Sequence, residues 1–195
     1  MASTAYHRHG PLAPDPSYSR YGMAIRWRDE RALVRGAQGG SPAALEELFR
    51  LHWARAHRAA YLVVHDAAAA EDIAQESFLA AIRNLERFDR RRQFAPWLHR
   101  IVVNRAIDHA RARALRAETG LDPTLVAPNP DGDGAPEGSL LTAIAALPPE
   151  QRAVIVLRHL LEYTPGEIAE LLALPRGTVN SRLRRGLDAI GKADS

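Results

Sequence analysis

Residues 164–185 read TPGEIAELLALPRGTVNSRLRR, and this stretch decides the fold. Thr164, Pro165 and Glu167 fit the cap, first and third positions of a capping box, in which each end satisfies the other's orphan donor. The helix they open carries Ile168, Leu171 and Leu172 on one side, with the small Ala169 where a second helix must approach. Leu174-Pro175-Arg176-Gly177 forms a turn. In the next helix Val179, Leu183, Leu187 and Ile190 make an inner face, spaced 4, 4 and 3. Thr178, Ser181, Arg182 and Arg185 fall on roughly the opposite face. The pattern predicts a helix-turn-helix whose second helix offers hydroxyls and guanidinium forks near its N-terminus, where a major-groove reader needs them. Arg176 and Arg184 flank that face and suit phosphates. A helical hairpin with a solvated basic face would not need the cap, the small residue and the split faces together.

Working outward, residues 139–147 and 149–161 read as two further short helices, making four in the C-terminal part. Upstream, residues 119–138 (TGLDPTLVAPNPDGDGAPEG) hold four Pro and four Gly, which exclude a continuous helix. This stretch is an acidic linker. N-terminal to it, helices are expected from near Asp29 to 37, from a Ser41 cap and Pro42 onward, over about 67–87 and over about 93–116. Residues 1–23 are rich in Pro, Ser, Tyr and His without periodicity and read as a disordered tail. The expected architecture is all-α: two small helical domains at 24–118 and 139–195, an N-terminal helical bundle and a C-terminal four-helix domain with the helix-turn-helix, joined by a flexible linker.

Composition narrows the function classes. The 195 residues include no Cys, which excludes disulfide scaffolds and thiolate zinc sites. No spacing among the histidines matches a metal-ligand set, and no cofactor or metal is called for. No nucleophile–base arrangement is visible, so the chain reads as a binding protein, not an enzyme. The absence of a long apolar run or a signal-peptide core predicts a cytoplasmic protein without membrane insertion. The net charge of +3 hides strong segregation. Residues 59–82 carry Asp66, Glu71, Asp72 and Glu76 and no Lys or Arg, whereas residues 83–116 carry ten Arg. Such alternation suits contacts with a polyanion and separate contacts with basic surfaces.

Three features of the N-terminal half refine this. Asp72, Gln75 and Glu76 share one helix face and can dock a basic partner helix. The loop Phe88-Asp89-Arg90-Arg91-Arg92-Gln93 is basic and bounded by aromatics. Beyond it, Trp97, Arg100, Asn104, Asp108 and Arg111 fall within about 80° of one another around a helix axis. A stripe mixing π surface, an amide and guanidinium groups suits single-stranded DNA.

The motifs E-D-x-x-Q-E-x-F (71–78), L-x-R-F-D (85–89) and F-x-x-W-L-x-R-I-x-x-N-x-x-x-D-x-x-R (94–111) resemble the polymerase-binding and −10-binding domain of extracytoplasmic-function sigma factors. The C-terminal L-P-P-E-Q-R (147–152) and the helix-turn-helix resemble their −35-binding domain. The resemblance covers about residues 25–192. It implies that Asp72, Gln75 and Glu76 bind the clamp helices of the largest subunit of core RNA polymerase, and that the C-terminal domain meets the flap region. It implies −10 contacts from Phe88, Arg90, Arg91, Trp97, Arg100, Asn104, Asp108 and Arg111. It implies −35 contacts from Arg176, Thr178, Ser181, Arg182, Arg184 and Arg185, and an anti-sigma factor as a further partner. A linker of this length spans at most about 65–70 Å, and a spacer of about 17 base pairs covers roughly 58 Å. Both domains can therefore reach one promoter. The alternative is a helix-turn-helix regulator that binds an operator without joining polymerase.

Overall fold

A computed structural model of the chain describes residues 20–119 and 140–193. The sequence-predicted tail, apart from residues 20–23, and nearly all of the linker lie outside the described residues. The described residues form helices and no strand. They are α1 (Arg20–Gln38), α2 (Pro42–Val64), α3 (Ala67–Asn84), α4 (Phe94–Glu118), α5 (Leu140–Ala145), α6 (Pro149–Ile155), α7 (Pro165–Leu172) and α8 (Arg176–Ala193). A single 3-10 turn, Leu85–Arg87, ends α3, and a wide π turn, Val156–Leu160, extends α6.

Local chemistry sets the helix ends. Ser41 Oγ accepts from Ala44 N at 3.3 Å, with Pro42 opening α2. At the other end His65 adopts a left-handed conformation (φ 50°), and Asp66 immediately caps α3 by accepting from Ala69 N at 3.0 Å. The tight α2–α3 reversal follows from these two adjacent residues. Asp66 also accepts from Arg113 of α4 at 3.1 Å, which ties the reversal to the far end of the bundle.

The N-terminal half is built around α4, whose Leu98, Val102, Val103 and Ala106 are fully buried. Burying each of the three larger side chains contributes about 1.5–3 kcal/mol. Two polar ties from Glu30 hold α1 to α2 and to the start of α4. Glu30 Oε1 lies 2.9 Å from His52 Nε2, and its Oε2 accepts from Phe94 N at 3.4 Å. In the C-terminal half, the capping box at Thr164 and Glu167 forms in both directions. Ala173 closes α7 in the left-handed region (φ 53°), where glycine is the usual residue. Gly186 of α8 passes so close to α6 that an added Cβ would lie 2.6 Å from Ile155 Cδ1, inside the buried core.

Two expectations need correction. The first helix begins at Arg20 and not near Asp29, so residues 20–23 are helical. Leu187, expected on the inner face of α8, is 46% exposed. The two halves pack on each other. α2 and α4 meet α6 and α7, and the buried side chains of both halves form one continuous cluster.

Candidate nucleic-acid interface

The loop between α3 and α4 is held open by a residue outside every motif. Gln38, the last residue of α1, donates through Nε2 to Leu85 O at 2.8 Å and to Phe88 O at 3.0 Å. With the loop fixed, Asp89 Oδ1 accepts from Arg91 N at 2.9 Å, and Arg92 N donates to Asp89 O. A cavity of about 450 Å³ opens beneath the loop, walled by Asn84, Phe88, Asp89, Arg92, Trp97 and Ile101. That volume lies in the range of small-ligand sites. Trp97 is half-buried, its ring 4.7 Å from Phe88 and 5.6 Å from Phe94.

Phe88 was expected to face nucleic acid directly. It is buried, and it serves as the cavity's inner wall, with Trp97 as the ring a base could reach. Arg90 and Arg91 are exposed in the same loop, and Arg100 is exposed one turn beyond Trp97. Asn104, Asp108 and Arg111 follow along α4 but line a second cavity, of about 320 Å³, with Glu150 and Arg182 of the C-terminal half. Arg111 Nε donates to Glu150 Oε1 at 2.6 Å.

On α3, Asp72, Gln75 and Glu76 are all exposed on one face. Gln75 donates to Glu71 at 3.1 Å, and Glu76 accepts from Arg105 of α4 at 2.6 Å. Of the two carboxylates in the trio, Asp72 has no ion-pair partner among the described residues. Leu79 and Ile82 continue the same helix face as exposed apolar side chains.

On α8, Val179 is fully buried and Leu183 nearly so, which turns the opposite face outward. Arg176, Arg184 and Arg185 are exposed, while Thr178, Ser181 and Arg182 are half-exposed. Arg185 donates to Ser181 Oγ at 2.7 Å, so these two side chains are presented as a pair.

Two histidines mark where the halves meet. His99 of α4 is buried, and its Nδ1 lies 2.7 Å from the Tyr163 hydroxyl, while its Nε2 has no partner. Burial, with the nearby charges of His52 and Arg55, pushes its imidazole down to about 3. Burial and the charge of Arg152 push His65 down to about 4, against an opposing hydrogen bond to the Leu62 backbone. Both rings are thus held neutral. In the unfolded chain they titrate near 6.5, so their contribution is complete above that pH and is lost as pH falls from about 6.5 towards 3–4. At pH 5.5 His99 alone should cost about 1.4 kcal/mol. Thermal melts at pH 7.5 and 5.5 should differ by at least about 2–4 °C, lower at acid pH. His99→Gln should narrow that difference. Among the described residues no group of three His, Asp or Glu side chains is placed to hold a metal ion.

Comparison with known proteins places this geometry. The sequence profile of Sigma-70 region 2 matches residues 48–116, and that of Sigma-70, region 4 matches residues 137–190. The ECF RNA polymerase sigma factor SigW of Bacillus subtilis is 32% identical over 174 residues, spanning 82% of this chain and 93% of SigW. The chain belongs to the ECF sigma factors. ECF sigma factor SigM of Mycobacterium tuberculosis is 32% identical over 160 residues, 81% of each chain. Among solved structures, CnrH in complex with the cytosolic domain of CnrY aligns with a TM-score of 0.63 at 27% identity, over 85% of this chain and 99% of that one. RpoE of Bartonella quintana, in complex with the anti-sigma factor NepR, shares the fold, with a TM-score of 0.61 at 20% identity over 76% of this sigma factor and 94% of RpoE. The region 2 match holds α3, the loop cavity and the Trp97 helix. The region 4 match holds the capped helix-turn-helix.

Proposed function

We propose that this sigma factor joins core RNA polymerase, carries it to promoters with −35 and −10 elements, and stabilises the melted −10 strand. The observation that carries the reading is the cavity walled by Trp97, Phe88, Arg87 and Arg92, in a chain that also bears a capped helix-turn-helix. A regulator that only binds duplex DNA has no use for such a cavity.

The division of labour follows the two matched regions, with residues 24–118 and 139–195 acting as separate domains across the linker. Asp72, Gln75 and Glu76 dock on the clamp helices of the largest subunit, and the exposed Leu79 and Ile82 extend that face with apolar surface. The C-terminal half meets the flap region. A base extruded from the −10 element enters the cavity and stacks on Trp97, with Arg100, Asn104, Asp108 and Arg111 following the strand or the adjoining duplex. On α8, Arg176 and Arg184 hold phosphates while Thr178, Ser181, Arg182 and Arg185 face base edges. The work of opening DNA then comes from binding. Extrusion costs a few kcal/mol per base, and stacking returns about 1–3 kcal/mol. An anti-sigma partner and action in the cytoplasm complete the proposal. Among the described residues no helix is long and apolar enough to cross a membrane.

Core binding tests the docking face. Asp72→Lys should weaken holoenzyme formation about tenfold or more, since it sets a like charge against a basic partner. Competition against wild type for core polymerase measures this. Equal competition would remove α3 from the interface.

A further inference from the structure

We infer that α1 sets the base selectivity of the −10 cavity, with Gln38 and Glu30 as positioning residues that hold the two ends of the α3–α4 loop. The inference rests on the promoter reading above for what the cavity takes. It goes beyond it by placing part of the selectivity on a helix that lines no part of the cavity.

The loop enters from the 3-10 turn and leaves into α4, and α1 serves both junctions. At the entry, Gln38 Nε2 donates to Leu85 O at 2.8 Å and to Phe88 O at 3.0 Å. A side-chain amide nitrogen carries two hydrogens, so both are committed to the loop. At the exit, Gln93 stands at the cap position of α4 and makes no side-chain cap bond. The first N–H groups of a helix have no partner within it. Glu30 Oε2 supplies one from outside by accepting from Phe94 N at 3.4 Å, at a helix end where the dipole favours a carboxylate.

Glu30 and Gln38 stand eight residues apart, about 12 Å along one helix. That helix is itself seated. Val34 and Ala37 are buried, and Glu30 Oε1 lies 2.9 Å from His52 Nε2 of α2. Within the loop, Asp89 accepts from Arg91 N and Arg92 N, which shapes the tip. The bonds from α1 tie its two ends to the bundle.

The held backbone groups belong to the two rings that brace Trp97. Phe88, whose carbonyl Gln38 holds, is a wall of the cavity and lies 4.7 Å from the Trp97 ring. Phe94, whose amide Glu30 holds, lies 5.6 Å from it. Telling one base from another requires walls kept within about 0.5 Å of their place. A loop freed at either end would still admit a base but would choose among bases less sharply.

The test uses the full chain with core polymerase. Gln38→Met keeps the length of the side chain and removes both donors. Glu30→Gln keeps the shape and weakens the acceptor, because the bond is no longer charge-assisted. Single-round runoff is measured on templates carrying each base in turn at each −10 position. Both variants should lower the best-to-worst ratio at the same position about fivefold, with −35 preferences and competition for core polymerase unchanged. A general loss of fold would lower all templates alike and leave the ratio in place. Gln38→Met combined with Trp97→Ala should lose less open complex than the product of the two single losses, since both act on one cavity. Unchanged selectivity in both variants, or single losses that multiply, would overturn the inference. Loss of core binding alongside selectivity would overturn it too, leaving α1 a plain structural support. Amide hydrogen exchange of the free protein is read in parallel and should quicken about fivefold or more in residues 86–94 of both variants. Absence of runoff from the wild type would contradict the promoter reading. Faster exchange confined to residues 86–94 would then uphold the hold of α1 on the loop, and unchanged exchange would overturn that as well.

Discussion

Trp97→Ala is expected to reduce open-complex formation about tenfold to a hundredfold while leaving closed-complex binding nearly unchanged. The ring forms the accessible wall of the α3–α4 cavity and leans on Phe88 at 4.7 Å. Base stacking on such a ring is worth about 1–3 kcal/mol by alanine substitution, or roughly five- to 150-fold. Only an extruded base can collect it, so the loss falls on the melted complex. The same ring braces Phe94, and removing it also loosens the cavity. Trp97→Phe separates the two effects: it retains a π face and should recover much of the activity, whereas Trp97→Leu retains bulk alone and should not. Permanganate reactivity of −10 thymines measures melting. Reactivity equal to wild type in the alanine variant would show that Trp97 takes no part in strand capture.

Arg182→Ala should weaken −35 recognition by about 1–3 kcal/mol, the worth of one good bidentate base contact, with core binding intact. Arg182 is half-exposed on α8, one turn after Thr178 and beside the Ser181–Arg185 pair, at the edge of the cavity shared with α4. Loss at a base-reading residue should relax discrimination between −35 sequences. Loss at Arg184 should weaken all sequences alike and flatten the salt dependence. Gel-shift or anisotropy titrations of holoenzyme against wild-type and mutated −35 duplexes distinguish the two patterns. If Arg182→Ala instead abolished holoenzyme formation, α8 would belong to the polymerase interface.

Much of this was legible locally. The caps at Ser41 and Thr164 are written within four residues each, and both form as read. The inner face of α8 was legible to Leu183 but not to Leu187, since periodicity gives the face and not how far a neighbour covers it. The early start of α1 was missed because composition before residue 20 dominated the reading, although Gly22 and Gly36 are the only glycines from there to Gln38 and no proline intervenes. What could not be read was contact between distant residues. Gln38 reaches Phe88 across 50 positions, Arg105 meets Glu76 across 29, and His99 meets Tyr163 across 64. None of these pairs has a local signature. The burial of Phe88 was hidden for the same reason: its place depends on Trp97 and Phe94 closing over it.

The central claim, that this ECF sigma factor turns core RNA polymerase into a promoter-specific enzyme, is tested most directly by reconstitution. Purified full-length protein is added to core polymerase on a template library or on genomic fragments, and runoff transcripts are mapped. The account predicts discrete start sites that depend on the protein, share paired −35 and −10 elements, and weaken about tenfold or more with Trp97→Ala. Sequence-specific DNA binding without any protein-dependent transcript would contradict it, and would leave a helix-turn-helix regulator that never joins polymerase.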